Sequence, residues 1–228
     1  MNPHYTYFWI LAASVTGPLA LSFDRKVHFY KKWKHLLLAV LLPALIYIAW
    51  DIYFVHQGVW SFNPEKITGF KIANLPVEEV LFFLIVPFCC VFIYECIRCY
   101  FPDLKNKKWA DRLLQALALL LFVTGLFFYK KYYTSWTFVL TALFITKIYI
   151  FKNYFRFFDA AAFVISYVIV LVPFLIVNGL LTAIPVVIYN DAENLGCRIY
   201  TIPFEDVFYG MLLVLMNITL YQRSMKRT

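Results

Sequence analysis

Charged residues are scarce in this 228-residue chain: they make up 15% of the sequence, against 63% hydrophobic residues. A soluble domain carries about a quarter charged residues, so this composition excludes an ordinary water-soluble fold and indicates an integral membrane protein. No GxGxxG follows a strand, so the chain has no flavin or nicotinamide fold of its own. The four histidines, His4, His28, His35 and His56, are scattered and form no cluster of HxxxH motifs, which argues against a di-iron hydroxylase. Aspartate-rich motifs for a metal-bound diphosphate are also missing. Asn190-Asp-Ala-Glu-Asn194 looks superficially similar to one, but an upstream counterpart, Asn63-Pro-Glu-Lys-Ile67, has lost the pattern. No metal ligands are assigned. Cysteine is present in an odd number, at positions 89, 90, 96, 99 and 197, with four of the five near one apolar segment. That spacing is a poor disulfide framework, and Cys96-x-x-Cys99 has no second pair with which to bind a metal. The N-terminal run lacks a basic leader and a small-residue cleavage site, so it is expected to be a retained helix.

A helix crosses the hydrocarbon with about 20 mostly apolar residues. Seven segments qualify: Tyr5 to Ser22, His35 to His56, Leu75 to Ile97, Arg112 to Tyr129, Tyr133 to Phe151, Ala160 to Ala183, and Ile202 to Gln222. The net charge of +8 comes from Lys and Arg in short clusters between these runs, a pattern of membrane topology and not of nucleic-acid binding. Clusters after the first, third, fifth and seventh spans (Arg25 to Lys34, Arg98 to Arg112, Lys147 to Arg156, Arg223 to Arg227) hold most of the 21 basic residues. The positive-inside rule then predicts an N-terminus outside the cell membrane and a C-terminus in the cytoplasm.

Two stretches repeat across the chain. Asn74-Leu-Pro-Val-Glu-Glu-Val-Leu-Phe-Phe83 returns 127 positions later as Thr201-Ile-Pro-Phe-Glu-Asp-Val-Phe-Tyr-Gly210. The same offset relates Trp9 to Trp136, Asp51 to Asn178, Asn63 to Asn190, Gly69 to Gly196 and Lys71 to Arg198. It maps spans one, two and three onto five, six and seven. The expected fold is therefore an all-α integral membrane protein of about seven transmembrane helices, two parallel three-helix repeats joined by a linker helix. The repeats would occupy 1–105 and 132–228, with the linker at 106–131.

Each motif carries two adjacent acids, Glu78 with Glu79 and Glu205 with Asp206. Acids near a helix N-terminus are favoured by its dipole, and Asn74 and Thr201 are good N-cap residues, so capping explains the pairs locally. Span length argues otherwise. If the helices entered the membrane only after the acids, Val80 to Tyr94 and Val207 to Gln222 would leave 15 and 16 residues to cross it. The acids therefore fall inside the rim of the membrane, where they are expensive and usually face an interior site. A carboxylic acid in an apolar pocket keeps its proton more readily and can act on an apolar target. Phe82, Phe83, Trp60, Phe62, Tyr189, Phe204, Phe208 and Tyr209 offer ring faces for a developing carbocation, although membrane packing explains most aromatics in such a chain. Asp51, Asn63, Asn178 and Asn190 are candidates to support the acids, or else to form turns.

These residues resemble the membrane lycopene cyclases of the two-subunit and fused bacterial and archaeal kind, and the cyclase half of the fungal bifunctional phytoene synthase and lycopene cyclase. The resemblance rests on Pro76-Val-Glu-Glu79, Pro203-Phe-Glu-Asp206 and the duplicated three-helix plan. It implies acid-catalysed, non-redox cyclisation of the ψ-ends of lycopene to β-rings, with Glu78, Glu79, Glu205 and Asp206 as catalytic acids. Phe82, Phe83, Trp60, Phe204, Phe208 and Tyr209 would line the substrate. Further implied are a lipid bilayer host and contact with other carotenoid-pathway enzymes. No in-chain cofactor is implied, so any reduced flavin or nicotinamide would be borrowed from solution. Adjacent helical residues point about 100° apart, so only one acid of each pair can face the substrate squarely. The expected acid–base pair is Glu78 and Glu205, tuned by Glu79 and Asp206. A hydratase or ε-cyclase acting at the same end group, and a small-solute transporter of two three-helix units, are the rival readings.

Overall fold

The computed structural model describes residues 2–104 and 107–225. Lys105, Lys226 and Arg227, which contribute to the charge asymmetry, and the expected repeat boundary at 105/106 lie outside the described residues. Seven long helices follow the seven apolar runs: α1 (Thr6–Leu21), α2 (Trp33–His56), α3 (Val77–Tyr100), α4 (Lys108–Phe127), α5 (Tyr132–Ile150), α6 (Ala160–Ala183) and α7 (Glu205–Met225). Among the described residues, five are long and apolar enough to cross a membrane by those criteria: α2 through α6. At 16 residues α1 extends only about 24 Å at 1.5 Å per residue. Helix α7 carries both second-motif acids in its first turn.

The loops before α3 and α7 are more regular than the apolar pattern predicts. Six short strands form there: β1 (Trp60–Phe62), β2 (Lys71–Ile72), β3 (Leu75–Pro76), β4 (Val187–Tyr189), β5 (Arg198–Ile199) and β6 (Ile202–Pro203). Strands β2 and β3 make one hairpin and β5 and β6 another, with Lys71 opposite Pro76 and Arg198 opposite Pro203. Their turns use left-handed residues at matching positions, Ala73 at φ 56° and Tyr200 at φ 60°. Gly69 (φ 87°) and Gly196 (φ 72°) lead into the hairpins with a backbone that a side chain would strain. Asn74 and Thr201, N-cap candidates by residue type, lie short of the helix starts at Val77 and Glu205. Asn74 donates to the Ile52 carbonyl at 2.9 Å, and the Thr201 hydroxyl meets that of Thr182 at 2.6 Å, so the hairpins are tied to α2 and α6.

The repeats interlock. Strands β1 and β4 pair antiparallel, Trp60 with Tyr189, Ser61 with Ile188 and Phe62 with Val187. Under the 127-residue offset this ladder maps onto itself, with Ser61 and Ile188 at its centre. Helix α3 packs on α1 and α2 of its own repeat and on α6 of the other; α7 packs on α5 and on α2. The core therefore lies between the repeats, with α4 against α5 and α6.

Close approach of α4 and α5 depends on Gly125. A Cβ there would sit 2.8 Å from Val139 Cγ2 and 3.1 Å from the Val139 backbone nitrogen. Gly125→Val should push the helices apart and cost about 1–3 kcal/mol, measured as a lower midpoint of thermal unfolding in detergent.

Candidate active site

Each motif helix begins immediately after its β-hairpin, so both acids of the pair lie in the first helical turn, 100° apart, with separate surroundings. The first acid of each pair turns back toward the preceding loop. Glu78 Oε1 accepts from the Thr68 N–H at 2.7 Å, and Glu205 Oε1 accepts from the Leu195 N–H, also at 2.7 Å, and from Thr134 Oγ1 at 2.5 Å. Both acids are fully buried, and both Oε2 atoms lack a protein partner. Thr68 and Leu195 are related by the same 127-residue offset, so this anchor was duplicated intact.

The second acids, Glu79 and Asp206, share one cavity of about 220 Å³ between the repeats, roofed by β1 and β4. Its walls are largely apolar. Trp60, Phe62 and Phe82 come from the first repeat and Tyr167, Tyr189 and Tyr209 from the second. Glu79 Oε2 accepts from Tyr7 OH at 2.6 Å. Asp206 accepts from three groups: Tyr133 OH on Oδ1, then Tyr189 OH at 2.9 Å and Asn178 Nδ2 at 3.5 Å on Oδ2. A third acid, Asp51, also lines the cavity, 2% exposed, and accepts from Tyr209 OH. Trp60 stands edge-on to Tyr209 and Tyr189, with ring centroids 6.0 and 5.9 Å apart, and Trp50 lies 5.1 Å from Tyr209. The result is a dense aromatic wall around three carboxyl groups.

The geometry reverses the expected order within each pair. Glu78 and Glu205 were expected to face the substrate, but their side chains are occupied by loop amides, and Glu79 and Asp206 face the cavity instead. Of the residues expected to line the substrate, Trp60, Phe82 and Tyr209 line this cavity. Three other residues expected to line the substrate lie away from this cavity. Phe83, one position from Phe82 and rotated away, packs on Tyr47. Phe204 and Phe208 pack edge to face on each other, and Phe208 packs on Phe138 of α5. Asp51 and Asn178 reach the site. Asn63 and Asn190 form turns: each accepts from the amide two residues on, and Asn190 also donates to the Gly58 carbonyl. Outside the membrane segments Arg198 donates to Asp191, and with Asn194 it holds that carboxyl below its usual range. Sequence reasoning missed Tyr7 and Tyr133. They are 126 residues apart, one off the repeat register, so aligning the repeats pairs them with Thr134 and Thr6 and hides their common role.

The two kinds of acid should separate experimentally. Glu78→Ala and Glu205→Ala remove the acceptors for Thr68 and Leu195, a loss of about 1–3 kcal/mol. Faster amide hydrogen exchange in the loops before α3 and α7 is the expected result; Glu79→Ala and Asp206→Ala should leave those loop amides protected.

Comparison with known proteins agrees with this duplicated architecture. The chain is similar to the bifunctional lycopene cyclase/phytoene synthases of Phaffia rhodozyma, 34% identical over 92 residues, and Neurospora crassa, 33% identical over 87 residues. A third, from Aspergillus niger, is 25% identical over 91 residues. The matches cover 37%, 38% and 38% of this chain and only 14%, 14% and 16% of those longer proteins. No solved structure matches. The family model described as lycopene cyclase matches twice, at residues 4–97 and 130–223, once on each repeat, and by that double match the chain belongs to the lycopene cyclase family.

Proposed function

We propose that the chain is a lycopene β-cyclase, closing the linear ψ-ends of lycopene into β-rings by acid catalysis with no net redox change. The observation that carries this reading is that two carboxylic acids, Glu79 and Asp206, one from each repeat, meet in a single aromatic-walled cavity. Their hydrogen bonding differs. Three donors converge on Asp206, an environment suited to a carboxylate, whereas Glu79 has one, from Tyr7. Glu79 is accordingly the proton donor and Asp206 the acceptor.

In the proposed reaction the Glu79 proton adds to the terminal double bond and leaves a tertiary cation. The neighbouring double bond attacks that cation, forming the ring bond and moving the positive charge into the ring. Asp206 then removes an adjacent ring proton, and those C–H electrons become the ring double bond. One proton enters and one leaves, so the step is an isomerisation; transfer from Asp206 back to Glu79 resets the site. The faces of Trp60, Phe82 and Tyr209 offset the migrating charge, and Asp51, held by Tyr209, supplies a further negative group on that wall. The charge bias of the sequence supports a cell-membrane location with the N-terminus outside and the C-terminus in the cytoplasm.

Expression in a bacterial strain that accumulates lycopene should yield β-carotene or its one-ringed precursor. Unchanged lycopene, with the protein present in the membrane, would overturn the reading, and a hydroxylated acyclic product would make the chain a hydratase. Glu79→Gln and Asp206→Asn should each lower cyclised product by about 10²–10⁴-fold, the usual contribution of a positioned acid or base. Tyr189→Phe removes one of three donors to Asp206 and should cost less, about tenfold.

A further inference from the structure

The cavity that holds Glu79 and Asp206 is too small for the molecule it is proposed to act on. Pockets that enclose a drug-sized ligand measure roughly 300–1,000 Å³, and this one is about 220 Å³. It accommodates an end group, and the rest of a long polyene must lie elsewhere. A second, larger space of about 700 Å³ begins where the cavity ends. It runs between α1 and α6, and the two spaces share Ser14, Pro173 and Val177 as a common wall. The groove is apolar. The Ser14 hydroxyl is satisfied by the Leu11 carbonyl at 2.8 Å and the Thr6 hydroxyl by the Pro3 carbonyl at 2.6 Å, so neither hydroxyl is stranded by an apolar chain, and Asn2 is exposed. Its flanks face outward, with Trp9 49% and Ile176 60% exposed.

The duplication supplies an internal comparison. The 127-residue offset maps the α1–α6 gap onto the gap between α5 and α2. There Trp136, the counterpart of Trp9, meets Tyr53 and Phe54 with ring centroids 6.0 and 6.2 Å apart. The counterparts of Tyr53 and Phe54 in the open gap are Leu180 and Leu181. Three rings therefore bridge the gap on one side, while on the other the aliphatic pair leaves a groove leading to the site.

We propose that the groove between α1 and α6 is the lateral entrance from the lipid and the binding site for the polyene tail. The tail rests there while its end group reacts, so each binding event processes one end. This rests on the cyclase reading and adds to it where the substrate lies and how it arrives.

The test fills the groove without touching the acids. A graded series Ala13→Val, Ala13→Leu and Ala13→Trp, with Ile176→Trp, would be compared with Ala49→Trp, the position equivalent to Ile176 on the bridged side. Membranes holding equal amounts of each full-length protein are given either lycopene or a short acyclic terpenoid that carries the same end group and no long tail. The larger groove substitutions should slow lycopene conversion by about tenfold or more, in order of side-chain size, and leave the short substrate within about twofold of wild type. Ala49→Trp should leave both rates within about twofold. Groove variants that convert lycopene at the wild-type rate, as expected if the groove holds only a membrane lipid, would overturn the proposal. Equal loss on both substrates would overturn it as well. A wild-type protein inactive on both would instead remove the cyclase reading beneath it.

Discussion

A carboxyl group taken out of water must find hydrogen-bond partners, and that constraint organises this molecule. Asp51, Glu78, Glu79, Glu205 and Asp206 are all buried in a chain with few charges to pair them. Among the described residues none of the five forms an ion pair with a lysine or arginine. Their hydrogen-bond donors are backbone amides, tyrosine or threonine hydroxyls and the Asn178 side-chain amide, all uncharged groups compatible with an apolar interior. By contrast Glu95, at the other end of α3, is buried beside Lys32 and Arg98 and forms ion pairs with both. The two ends of one helix thus solve the same problem differently. Ion pairing satisfies a carboxylate permanently, whereas hydroxyl donors leave it able to gain or lose a proton.

The loops before α3 and α7 follow from the same constraint. To present the Thr68 and Leu195 amides to the first acid of each motif, the chain must turn sharply at Gly69 and Gly196 and run through a two-residue hairpin. Those parts are duplicated together, down to the positive φ of Ala73 and Tyr200. The second acids are treated otherwise. Asp51 corresponds to Asn178, Phe62 to Tyr189 and Phe82 to Tyr209, so the lining that touches Glu79 and Asp206 has diverged where the anchoring has not. A symmetric scaffold of this kind fixes where two acids meet, and substitutions in the lining then distinguish them.

The seven helices and the two repeats were legible because they rest on long-range features of the sequence: apolar run length, basic clusters and a constant offset. The place of the candidate site was legible at the level of the motif, since few reasons place paired acids twice inside a membrane rim. Orientation within the pair was not. It depends on which acid the preceding loop captures, and the hairpins that set this are two-residue strands too short to leave an alternating pattern. For the same reason Phe83, Phe204 and Phe208 could not be separated from Phe82 and Tyr209, because a rotation of one residue moves a ring from the cavity to a helix interface. Tyr7 and Tyr133 escaped because the offset that exposes the duplication conceals residues equivalent in space but one step apart in sequence.

Interlocking makes the two halves of this chain depend on each other. Among the described residues strand β1 has its ladder partner only in β4, and α2 and α3 bury faces against α7 and α6 of the opposite repeat. An isolated repeat would keep its hairpin and its loop anchor. It would also expose an unpaired three-residue edge above a half-cavity that has lost the other repeat's acids and much of the aromatic wall. In lipid, unpaired backbone and unpartnered acids are costlier than in water. The contacts that build the site are therefore the same contacts that hold the repeats together, and neither can be weakened without the other.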